Sequence, residues 1–286
     1  MSAAGVARAA VTFPSPPAAG VANRRRRVAI ETESVLAGVV AAGVTAIVGA
    51  LSFAGAEWSL WGGWSVGAFA AIAVVVLGIG AAATGYWRAR DLPGQEWRHE
   101  LGAWKFSLDV ATVAAVHAVI GALVTVMVFV LLQRSFEGLV VDPWIATGAS
   151  AVASGLAAYW IYLSVTSLTT PKLAALLVVF MSLTVLTSMA TSQDPQWWQI
   201  HFSQLGTSND VSSGLFNIAL VIAGAFVTTF AMYVFRDLSA LVRQGVLTHT
   251  WTPRVVSVVF VVMGVLLAFV GLFPLDVSML IHNMSA

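Results

Sequence analysis

Four ionisable side chains, Asp194, His201, Asp276 and His282, stand in two polar stretches of an otherwise apolar chain. Two carboxylates and two imidazoles are enough for acid/base hydrolysis. An imidazole accepts and returns a proton near neutral pH, and a carboxylate can orient it and balance its charge. The same residue types could ligate a metal ion or form plain solvated surface. No HExxH, phosphate-binding loop or dinucleotide-binding glycine pattern accompanies them. His201, His282, Asp194 and Asp276 are therefore the catalytic candidates, with no metal assigned and the cofactor unknown. Ser203, Asn209, Asn217 and Asn283 lie beside them and are candidate binding residues.

A second place is the apolar run near residues 106–132, where Asp109 and His117 are the ionisable residues beyond Lys105. Charged groups inside a membrane are costly and usually face the bundle interior. Eight positions at about 100° each put the two roughly 80° apart on a helix, so one broad face can carry both. They would form a proton relay or a polar ligand contact. The plainer alternative pairs Asp109 with Lys105 one turn before it and leaves His117 as a hydrogen-bonded core residue.

The elements that must position these groups follow from composition. The chain has 286 residues, 59% of them hydrophobic and 9% charged, with a mean hydropathy of +0.88. Soluble domains carry roughly a quarter charged residues, so lipid is the solvent that suits this chain. A formal net charge of +1 argues against a nucleic-acid partner, which needs a concentrated basic surface. The absence of cysteine excludes disulfides, thiolate nucleophiles and Cys-ligated metals. Arginine far outnumbers lysine, which occurs only at Lys105 and Lys172, a usage that suggests a GC-rich bacterium.

Residues 1–30, rich in Ala, Pro and Ser and containing Arg24 to Arg27, read as a disordered cytoplasmic tail. Residues 31–286 form the membrane domain. Apolar runs at about 34–55, 66–87, 106–132, 144–167, 173–191, 213–235 and 255–273 each approach the roughly 20 residues that cross a hydrocarbon core. In lipid each must be helical to satisfy its own backbone. The expected fold is all-α, a polytopic transmembrane bundle of about seven spans with a cytoplasmic N-terminus, in the plasma membrane. That orientation places every basic residue except Arg134 inside. Trp58, Trp61, Trp64, Trp87, Trp97, Trp104, Trp197 and Trp198 flank the runs as interfacial anchors. Small residues every fourth position, Ala42, Ala46 and Ala50, then Ser150, Ser154 and Ala158, would let helices or oligomeric partners approach closely. The stretch 192–212 mixes apolar and polar residues at helical spacing, as a short interfacial helix would.

Two sets of residues carry a resemblance. His201-Phe202-Ser203-Gln204-Leu205-Gly206, Asn209 and Leu215-Phe216-Asn217 form one. Gly271-x-Phe273-Pro274, Asp276 and His282-Asn283 form the other. Together they resemble a bacterial family of multi-pass membrane proteins known only as domain of unknown function nine hundred and ninety-eight. The resemblance implies that the two loops belong together, and it implies no reaction. In that family the His-Asn element tends to begin a final membrane helix. Here the sequence stops three residues after Asn283, so an eighth span is either lacking or not included.

Three functions remain open at this point. The favoured one is an extracytoplasmic polar site that binds or processes a lipid or lipid-linked substrate. The alternatives are a secondary transporter or proton-coupled permease using His117 and Asp109, and a non-catalytic membrane assembly partner that binds through its small-residue faces.

Overall fold

The computed structural model describes residues 18–194, 196–199, 201–207 and 210–286. Each apolar run becomes a helix: α1 (Ala18–Ser52), α2 (Val66–Ala89), α3 (Ala103–Ser135), α4 (Pro143–Thr166), α5 (Thr170–Thr191), α6 (Val211–Arg243) and α7 (Thr252–Leu272). All seven are long and apolar enough to cross a membrane, and the chain is an integral membrane protein of all-α class. Residues 18–30 belong to α1, so the helix takes in the half of the tail that composition assigned to disorder. A continuous helix satisfies those backbone groups whatever the polarity of their side chains. A last helix, α8 (Met279–Ser285), has seven residues, about 10 Å and too short to span.

The helix connections gather at two ends. At the basic end the α2–α3 loop meets α4–α5, where Gln95 Nε2 donates to the Leu168 carbonyl at 3.1 Å. It also meets α6, where Arg236 donates to the Gly94 carbonyl at 3.4 Å. At the far end, Trp58–Ser59 (β1) and Val140–Val141 (β2) pair antiparallel and tie the α1–α2 loop to the α3–α4 loop. Side-chain caps mark helices that start at the far end. Ser65 caps α2, Asp142 caps α4, Asp210 caps α6 and Ser278 caps α8, each accepting from a first-turn amide.

Close backbone approaches fix the packing order. α4 lies against α1 and α2, α2 also against α3, and α6 against α5 and α7, with α3 joining the two groups. On α1 and α4, a Cβ on Gly38 would stand 2.9 Å from the Gly155 carbonyl oxygen, and Ser154 Oγ donates to Thr45 Oγ1 at 2.7 Å. Ser150, Ser154 and Ala158 are buried, so the α4 stripe is spent inside the bundle. α6 and α7 touch more tightly still. A Cβ on Gly224 would collide with the Gly264 carbonyl oxygen, and one on Gly271 with the Asn217 carbonyl oxygen. Contacts this short need small residues, because lipid offers helices no hydrophobic drive to associate and dispersion must supply it.

Candidate functional site

The described residues around Leu205 and Gly206 pack over the start of α6. Where one short interfacial helix was expected, the described residues form two short 3-10 turns, Trp197–Gln199 and Phe202–Gly206. Tertiary packing overrides the helical spacing: Leu205 is buried against Phe216 and Leu220 of α6. Asn217 Nδ2 donates to the Gly206 carbonyl at 2.8 Å. A Cβ on Gly206 would collide with Asn217 Oδ1, so a side chain there would have to displace the Asn217 amide.

The C-terminal segment meets this turn. α7 stops at Phe273, and the amides of Val277 and Ser278 both donate to the Pro274 carbonyl at 3.0 Å, which turns the chain into α8. His282 is buried there. Its Nδ1 lies 3.0 Å from the Phe273 carbonyl oxygen, and its Nε2 lies 3.1 Å from Ser203 Oγ. A carbonyl oxygen only accepts, so Nδ1 carries the proton. In the neutral ring Nε2 is then the acceptor, and the Ser203 hydroxyl donates to it. A serine whose hydroxyl points at the bare nitrogen of an oriented imidazole is an arrangement for nucleophilic catalysis. A backbone carbonyl, not a carboxylate, orients this imidazole.

The remaining expected residues do not join this contact. Asp194 is half-buried, and its Oδ1 accepts from the Gln196 amide at 2.8 Å. His201 is exposed and precedes the Phe202–Gly206 turn, its carbonyl accepting from the Gln204 amide at 3.0 Å. Asp276 and Asn283 are exposed. Asn209 lies outside the described residues. Among the described residues no group of three acidic or histidine side chains could hold a metal ion. The flanks are apolar: Met279, Leu280 and Met284 on α8, and Phe202 next to the serine in the chain, are all exposed.

His117 and Asp109 occupy helix–helix contacts. His117 is wholly buried. Its Nδ1 faces the Val113 carbonyl oxygen at 2.8 Å, and its Nε2 faces Ser164 Oγ of α4 at 3.0 Å. Asp109 does not pair with Lys105. Thr229 of α6 donates to its Oδ1 at 2.8 Å, while Lys105 Nζ reaches Met232 Sδ at 2.7 Å. Helical spacing brings Lys105 onto the same face, but burial against α6 turns the carboxylate inward.

Two features escaped the sequence reading. Arg98, counted only as a basic-end charge, is 1% exposed. It stacks 4.1 Å from the Tyr86 ring and donates to the Tyr233 hydroxyl at 2.5 Å. Nothing in its neighbours along the chain distinguishes it from a surface arginine. Gly63-Trp64-Ser65-Val66-Gly67 has the GxSxG spacing of a nucleophile elbow. The structure makes Ser65 the buried N-cap of α2, its side chain accepting from the Ala68 amide at 3.4 Å.

No family model matches the chain, and neither a curated protein nor a solved structure matches it.

Proposed function

We propose that the far end carries a site that binds and processes a lipid or lipid-linked ester, with Ser203 as nucleophile and His282 as its base. The supporting observation is the double anchoring of His282. Nδ1–H donates to the Phe273 carbonyl, which leaves Nε2 to accept from Ser203 Oγ at 3.1 Å. In the reaction Ser203 Oγ attacks the ester carbonyl and its proton passes to His282 Nε2. Collapse of the tetrahedral intermediate expels the alcohol, which takes that proton. Water, deprotonated by the same Nε2, then releases the acid and restores the serine. Asn217 holds the turn bearing Ser203 through Gly206. On this reading the headgroup lies against His201, Asp194, Asp276 and Asn283. The apolar side chains of α8 and Phe202 suit the acyl part. The arginine asymmetry supports placing this end outside a plasma membrane. The paired loops also agree with membership of the family of unknown function that the sequence resembles.

The test is labelling of the full chain in mild detergent with an alkyl fluorophosphonate, read by peptide mass spectrometry. The expected result is a phosphonyl adduct on Ser203 that is lost in Ser203→Ala and falls at least about a hundredfold in rate in His282→Ala, the usual scale for removing a general base. An unlabelled Ser203 in folded wild-type protein overturns the reading. Loss of a co-purifying lipid in both variants, without any adduct, reduces the site to lipid binding.

A further inference from the structure

At the basic end α6 and α7 part around a cleft of about 480 Å³, lined among others by Phe235, Ser239, Arg243, Thr250, Trp251 and Arg254. Among the described residues no acidic one lines it. Most other described cations near this end are engaged. Arg88 pairs with Glu33 at 2.6 Å and Arg236 with Asp237 at 2.7 Å. Arg90 lies 3.8 Å over Trp87, Arg98 is stacked on Tyr86, and Lys172 donates to Ser167. Asp237, the one acid on α6, is taken by Arg236 and by Thr170 at 2.5 Å. Among the described residues Arg243 and Arg254 have no ion pair. Two arginines and two hydroxyl-bearing residues thus line a recess with apolar walls, at the depth where Trp251 and the stacked His249 mark the helix ends. Like charges held together repel, so the recess is complementary to an anion with an apolar attachment.

We propose that this cleft binds the phosphate of an anionic phospholipid from the leaflet at the basic end. Arg243 and Arg254 hold the phosphate oxygens, Ser239 and Thr250 donate to the same headgroup, and Phe235 packs on the upper acyl chain. The site is independent of Ser203 and His282 and lies at the opposite end of the bundle.

The experiment is native mass spectrometry of the full chain, titrated with phosphatidylglycerol against phosphatidylcholine of the same acyl chains. Wild type is expected to prefer phosphatidylglycerol, and R243Q/R254Q to lose on the order of tenfold of that preference. R26Q/R27Q removes the same charge from α1 and is expected to leave most of it. Equal losses in the two double variants would mean diffuse surface charge and overturn the proposal. Displacement of the lipid by millimolar inorganic phosphate would mean a free-anion site and also overturn it. S239A/T250A, which alters no charge, is expected to give a smaller loss. If R243Q/R254Q does not fold, an unchanged preference in S239A/T250A counts against the site.

Discussion

The Arg98 guanidinium donates to the Tyr233 hydroxyl at 2.5 Å across the basic end of the bundle, while its plane covers the Tyr86 ring at 4.1 Å. A buried cation with no carboxylate within ion-pair distance depends on such neutral partners. Tyr233→Phe removes the hydroxyl and is expected to cost about 1–3 kcal/mol, the scale for stranding a buried polar group. The double variant R98M/Y233F removes the charge as well and is expected to recover part of that loss. Thermal unfolding in one detergent checks both, and a double variant less stable than Tyr233→Phe would contradict the argument.

The His117–Ser164 contact joins α3 to α4 in the membrane interior. Hydrogen bonds between membrane helices contribute about 0.6 kcal/mol on average and up to about 1.7. Ser164→Ala is expected to lower stability within that range and to leave fluorophosphonate labelling of Ser203 unchanged. A change in labelling without a change in stability would tie His117 to the far-end site.

Gly224 and Gly264 place the backbones of α6 and α7 in direct contact. Gly264→Ala is expected to push the helices apart and destabilise by about 1–3 kcal/mol, as overpacking does. Gly80→Ala, with open space around the new methyl group, is expected to be neutral or to stabilise α2 by up to about 1 kcal/mol. The two variants measured side by side separate close approach from helix propensity.

The chain has no cysteine, so single cysteines report topology directly. Glu137→Cys at the far end is expected to react with a membrane-impermeant maleimide on intact cells. Gln244→Cys at the basic end is expected to react only after permeabilisation. The reverse pattern would invert the orientation and place the Ser203 site on the cytoplasmic face.

Much of the far-end site was visible as residue types without being visible as a pair. Ser203 and His282 both stood out as polar groups in loops, 79 positions apart. Which histidine would meet which hydroxyl depended on the turn after Phe273 and on the burial of Leu205. His201, equally prominent in sequence, lies exposed because it precedes the 3-10 turn. Asp109 and Lys105 share a helix face by spacing, yet a threonine from α6 takes the carboxylate.

By itself the sequence determined the solvent, the number of spans and, to within a few residues for most of them, where each span begins and ends. These depend on local quantities: apolar length against bilayer thickness, and the need for every backbone group in lipid to bond within its own helix. Tertiary structure alone decided which polar groups meet. In a helical bundle that choice depends on helix order and rotation, set by contacts such as Gly224 with Gly264 and Gly38 with Gly155. A stripe of small residues says that some helix comes close, but the close-packed whole chooses which one.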